Sequence, residues 1–132
     1  MPSRRFVCRY RLGRKELIHY QEVQLAVAQM VTETSAMRAL LWQSAREFTP
    51  TQAKASLTKL HCAERAVAVC DQAMDLLGNH GFLHGNYVEK AFRDARLTQI
   101  YEGTNQINRL AVIEDLQEQL LAQIGGGSQE RS

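Results

Sequence analysis

What most constrains this chain is the spacing of its apolar residues, which recur every three or four positions over four long stretches and nowhere show the alternation of a strand. Such a recurrence lines up one face of an α-helix, whereas a half-buried strand needs a period of two. The first stretch, Glu16 to Phe48, carries Val23, Val27, Met30, Met37, Leu41, Ala45 and Phe48, with polar Thr34 in one slot of the stripe. Leu60, Ala63, Val67, Cys70, Met74 and Leu77 predict a second helix over Pro50 to Leu77. Val88, Ala91, Phe92 and Ala95 predict a shorter third over Tyr87 to Ile100, and Ile107, Leu110, Ile113, Leu116, Leu120 and Ile124 a fourth over Asn105 to Ile124.

The punctuation agrees with these stripes. Thr49 is the expected cap of the second helix, with Pro50 in its first turn and Gln52 at the reciprocal capping position. Gly78 followed by Asn79 supplies the left-handed residue that commonly closes a helix. The stretch from Gly78 to Asn86 holds three glycines and two histidines without a period, so it is expected to be a loop, with Asn86 capping the third helix. Gly103 breaks the pattern, and Thr104 can cap the fourth helix. The fold expected is all-α, an antiparallel four-helix up-and-down bundle with neighbours crossing at about 20°. It divides into an N-terminal arm over residues 1–15, a bundle over 16–124 and a flexible glycine-rich tail over 125–132. Alanines Ala26, Ala28, Ala36 and Ala39 leave the first helix a second small-residue face, which either packs on another subunit or simply favours helix.

Composition excludes several functions. A net charge of +2 spread through 132 residues gives no concentrated basic face for nucleic acid. No run of roughly eighteen apolar residues is present, so no membrane span is expected. Arg4, Arg5, Arg9 and Arg11 enrich the opening in arginine, but that opening is short and runs into patterned sequence, so no targeting segment is expected. The cysteines Cys8, Cys62 and Cys70 are odd in number and have no C-x-x-C spacing, which fits a reducing compartment, and Cys70 on its apolar stripe reads as a small core residue. His80 and His84 span a glycine loop rather than one helix face, so no metal site is expected.

The segment from Ala95 to Arg109 carries the chemistry. It puts Glu102 in a short turn between two helices, between Tyr101 and Gly103, immediately before a helix N-terminus. A helix N-terminus favours phosphate through its free amides and dipole. A glutamate there, covered by an apolar ligand, would become a usable base near neutral pH through desolvation, although most such glutamates are ordinary solvated residues. Arg93 and Asp94 read equally as a structural ion pair or network fixing this loop.

Arg93-Asp94-Ala95-Arg96, then Ile100-Tyr101-Glu102-Gly103-Thr104, Ile107 and Arg109, resemble the signature near the C-terminus of the acyl-CoA dehydrogenases. The likeness extends through Gly78, Gly81-Phe82 and Val88-Glu89-Lys90, and upstream to Arg9-Tyr10-Arg11-Leu12-Gly13, Gln21, Val23 and Gln24, so it runs from about Arg9 to about Leu121. The resemblance implies that Glu102 is the base that takes the α-proton of an acyl-CoA thioester while the β-hydrogen leaves as hydride to FAD. It implies that Tyr101 and Gly103 line the substrate site and that Thr104 and Gln106 touch the flavin dinucleotide. Arg9, with Leu12 where the family has Phe, matches a turn that reaches the flavin of a neighbouring subunit, which makes a homo-oligomer, a dimer or tetramer, part of the cofactor site. The family's Gln-x-x-Gly-Gly stands here as Asp75-Leu76-Leu77-Gly78-Asn79, so Asp75 and Asn79 depart at the same flavin contact, and a carboxylate beside a pyrophosphate is unfavourable. Further implications are an electron-transfer flavoprotein as acceptor and a location in bacterial cytoplasm or mitochondrial matrix. The family's other domains hold most of the flavin and acyl-CoA contacts, so this chain is not expected to turn over by itself. The alternative is a non-catalytic oligomerisation module that kept the bundle.

Overall fold

The computed structural model describes residues 2–47 and 51–126. Five α-helices account for most of them: α1 (Pro2–Val7), α2 (Gln21–Arg46), α3 (Gln52–Leu77), α4 (Val88–Thr98) and α5 (Asn105–Gly126). The bundle is built around α3, against which α2, α4, α5 and the short α1 all pack. None of the described helices is long and apolar enough to cross a membrane.

The core explains the centrality of α3. Ala73 and Leu77 from its second half meet Met30 of α2 and Val88 of α4, with Phe6, Val27, Val69, Met74 and Leu76 packed around them. Val7 of α1 is fully buried. Gly81 is buried too, and a Cβ there would stand 3.0 Å from the Met74 carbonyl oxygen, so only glycine lets the chain turn this closely over the end of α3.

Local chemistry moves several boundaries. The first long helix starts at Gln21 rather than Glu16, because the preceding segment is spent on a small hairpin. Two residue pairs, β1 (Arg11–Leu12) and β2 (Lys15–Glu16), face each other antiparallel about Gly13, whose φ of 63° permits the reversal. The Tyr20 hydroxyl closes the hairpin by donating to the Leu12 carbonyl at 2.6 Å. These are the only strands among the described residues. Within the described part of the expected N-terminal arm lie α1 and most of this hairpin. The cap of α3 is Thr51, whose hydroxyl accepts the Lys54 amide at 3.3 Å. Phe48, Thr49 and Pro50, expected to end one helix and start the next, lie outside the described residues.

Gly78 closes α3 at φ 51°, and the glycine-rich stretch folds into two 3-10 turns instead of an open loop. Asn86 does not cap α4: its amide donates to the His80 carbonyl, and Tyr87 precedes the helix in a left-handed conformation at φ 57°. Hydrogen bonding within the turn outcompetes the cap. Arg93 and Asp94 do not pair with each other; Arg93 binds Glu89 and Asp94 binds Lys90, both at the four-residue spacing of one helix face. The last helix runs to Gly126, past the expected end at Ile124, and residues 127–132 of the expected tail lie outside the description.

The apolar stripe of α5 faces away from α3. Ile107, Leu110, Ile113, Leu116, Leu120 and Ile124 are all exposed, while Asn105 and Asn108 are buried on the contact side. A stripe specifies that a face seeks apolar cover but not which surface provides it.

Candidate functional site

Glu102 stands where its sequence surroundings place it, on the turn between α4 and α5, and both it and Tyr101 are exposed. The turn is tightly specified. The Tyr101 amide bonds the Leu97 carbonyl at 3.2 Å as α4 ends, and the Asn105 amide returns to the Gln99 carbonyl at 3.1 Å. Between these anchors Glu102 and Gly103 adopt φ of 55° and 85°. The left-handed region is natural for glycine and costs another residue about 1–2 kcal/mol, so Glu102 is held in a conformation its side chain disfavours. Thr104 caps α5, its hydroxyl accepting the Ile107 amide at 3.4 Å.

Two side chains absent from the sequence-level candidates, Lys59 and Asn108, bind this turn, and Arg109 of the signature fastens the helix that follows it. Lys59 of α3 donates to the Gly103 carbonyl at 2.6 Å and to Asn105 Oδ1 at 3.1 Å. Asn108 Nδ2 donates to the same Gly103 carbonyl at 2.9 Å and to that of Thr104 at 3.0 Å. Arg109 pairs with Glu64, fastening the start of α5 to α3. Nothing in the spacing marks Lys59, which lies 44 residues before the carbonyl it holds. The buried asparagines do leave a trace: two polar residues three apart at the start of an otherwise amphipathic helix.

Beside the turn lies an open cavity of about 500 Å³, lined by Met37, Leu41, Cys62, Ala66, Tyr101 and Glu102 among others. Burial pushes the Cys62 thiol above its ordinary pKa, and its sulfur lies 3.7 Å from the Met37 carbonyl oxygen in the cavity wall. The cavity is a trough between α2 and α3, so a chain lying in it would need a second wall.

The remaining candidates assemble elsewhere. Phe6 and Tyr10 stack at 4.9 Å between centroids, and both meet His80, at 5.2 and 5.6 Å. This brings the segment carrying Arg9 and Leu12 to the end of α3 that carries Asp75 and Asn79, and all four are exposed. Lys59 and Asp75 are about 24 Å apart along α3. Gln106, beside Thr104 at the start of α5, is exposed at the Glu102 end. The structure therefore separates the candidates into two clusters at opposite ends of one helix. His80 belongs to the aromatic stack, whereas His84 Nδ1 lies 2.9 Å from Glu89, so the two histidines serve different contacts.

This all-α bundle, with a glutamate on a clamped turn before its last helix, matches a known family of helical domains. The family model described as "Acyl-CoA dehydrogenase, C-terminal domain" matches residues 4–117. The chain belongs to that family. It is 37% identical over 99 residues to the bovine mitochondrial short-chain specific acyl-CoA dehydrogenase, covering 73% of this chain and 24% of the relative. It is 39% identical over 100 residues to the cyclohex-1-ene-1-carbonyl-CoA dehydrogenase of Geobacter metallireducens, covering 73% and 26%. Butyryl-CoA dehydrogenase from Megasphaera elsdenii superimposes with a TM-score of 0.82 at 25% identity, over 87% of this chain and 31% of that one. The chain thus spans about a quarter of the length of these curated relatives.

Proposed function

We propose that this chain is the C-terminal helical domain of an FAD-dependent acyl-CoA dehydrogenase, in which Glu102 removes the α-proton of an acyl-CoA thioester. The observation that supports this most is the Glu102 turn: an exposed carboxylate in a disfavoured left-handed conformation, clamped through its neighbour's carbonyl and opening onto a largely apolar trough. Strain of this kind persists only where the surroundings over-determine it, and such residues cluster at functional sites. Covering the trough by the rest of the enzyme and by the acyl chain would desolvate Glu102 and raise its basicity. Tyr101 and Gly103 flank the base and would border the thioester.

Thr104 and Gln106 fit FAD: a hydroxyl and an amide, both exposed, at a helix N-terminus suited to phosphate or to polar ring edges. When bound, FAD supplies the acceptor for the β-hydride. Arg9, Leu12 and Asn79 fit a second flavin, that of a neighbouring subunit, because about 24 Å of α3 separates them from the Glu102 turn. Asp75 is the poor member of this set, since its carboxylate would repel a pyrophosphate. The reading carries with it a homo-oligomer, an acyl-CoA substrate, an electron-transfer flavoprotein as acceptor and a place in bacterial cytoplasm or mitochondrial matrix.

The test is Glu102→Gln in the flavin-loaded enzyme. Flavin content and acyl-CoA affinity stay unchanged while turnover falls by about 10² to 10⁴, roughly 3 to 5 kcal/mol in barrier. Normal turnover with normal binding would sink the assignment. The outward apolar stripe of α5 favours a second reading, an oligomerisation module without chemistry. That reading predicts a well-defined symmetric oligomer that binds no flavin, seen by light scattering and the visible absorption spectrum.

A further inference from the structure

The Glu102 turn is held from two sides, and the two holds differ in kind. Asn108 reaches back from the first turn of α5, so it moves with the helix that the turn itself begins. Lys59 reaches in from α3, the helix on which the whole bundle is built. Its bond to the Gly103 carbonyl, at 2.6 Å, is short and charge-assisted, the stronger class of hydrogen bond. Among the described residues its ammonium meets no carboxylate; its acceptors are the Gly103 carbonyl and the side-chain oxygen of Asn105.

We propose that Lys59 is the positioning residue of the active turn, its ammonium locking the Gly103 carbonyl so that Glu102 keeps the backbone that aims its carboxylate. This rests on the reading of Glu102 as the base. The direction of the Glu102 side chain is set by its own φ of 55° and by the peptide that joins it to Gly103. Left to itself, a glutamate drifts toward the right-handed region, which swings Cβ to another side of the chain. The bonds from Lys59 and Asn108 fix the Gly103–Thr104 peptide on one side and the Tyr101 amide bond to Leu97 fixes the chain on the other, so the Glu102–Gly103 peptide between them cannot rotate freely without breaking one of these anchors. Asn105 completes the arrangement: its side chain takes a second Lys59 proton and its amide binds Gln99, so one ammonium spans both ends of the reversal. A base must be placed to within a fraction of an ångström of the proton it takes, and supporting residues supply that placement.

The experiment has two arms. In the chain, amide exchange is followed by NMR for Lys59→Met, Lys59→Arg and the parent. Lys59→Met speeds exchange of the Tyr101 and Asn105 amides by about tenfold or more, leaves the α2 and α3 core amides unchanged, and is largely reversed in Lys59→Arg, which restores a charged donor. In the flavin-loaded enzyme, Lys59→Met lowers kcat by about tenfold at unchanged KM and flavin content, and Lys59→Arg recovers most of it. Should Lys59→Met fail to fold, Lys59→Gln, with a neutral donor, replaces it under the same criteria. Unchanged exchange at Tyr101 and Asn105, uniform acceleration across all helices, or no recovery in Lys59→Arg overturns the proposal. Glu102→Gln is run alongside: normal turnover there removes the base assignment, whereas the exchange arm still decides whether Lys59 holds the turn.

Discussion

Glu102→Gly separates strain from function. Glu102 sits at φ 55°, is exposed and makes no hydrogen bond or ion pair among the described residues, so its side chain contributes little to folding. Holding a non-glycine residue in this region costs about 1–2 kcal/mol. Glycine removes that cost but loses about 0.4–1 kcal/mol more through the greater freedom of its unfolded chain. The net expectation is that Glu102→Gly stabilises the domain by about 0.5–1 kcal/mol relative to Glu102→Ala, which retains the strain. For a domain of this size that corresponds to a rise in Tm of roughly 2–4 °C. Thermal unfolding followed by circular dichroism at the helical band reads it directly. If Glu102→Gly melts at or below Glu102→Ala, the turn is not strained at this residue and the case for a carboxylate retained against stability collapses. The expected pattern, a gain in stability with loss of turnover in the complete enzyme, is that of a residue kept for chemistry.

The core and the surface give independent checks. Leu77→Ala, at a position 3% exposed and packed against Met30 and Val88, should cost about 2–5 kcal/mol in urea unfolding, whereas Leu110→Ala on the outward face of α5 should cost under about 0.5 kcal/mol in the isolated chain. The hydrogen bond from Arg93, with a smaller contribution from His84, holds the Glu89 carboxyl below its ordinary value of 4.5. Its contribution to α4 is therefore fully present above pH 4.5 and lost as pH falls through the lower folded-state value. An NMR titration should place the Glu89 midpoint below 4.5 in the parent and return it toward 4.5 in Arg93→Ala; an unchanged midpoint would remove Arg93 as the cause.

What the sequence determined by itself is what depends on neighbours along the chain. The three-to-four-residue recurrences locate α2 to α5, Gly78 ends α3, Thr104 caps α5, and Glu102 falls on the turn between helices, because periodicity, caps and backbone freedom act within a few residues. Even locally, competition shifts the outcome. Glu16 is drawn into a hairpin closed by Tyr20, and Asn86 spends its amide on His80 rather than on a cap. Tertiary structure alone decided which face of each helix found a partner. The Ile107 to Ile124 stripe is as regular as that of α3, yet it points outward while Asn105 and Asn108 are buried, since a period shows that a face is apolar without showing what lies across from it. The same holds for the candidate site. The signature residues lie close together in sequence, but the Lys59 that grips Gly103 lies 44 residues away, and only the docking of α3 against α5 brings its ammonium to that carbonyl. A bond of that kind depends on distance in space, and a one-dimensional pattern holds no record of it.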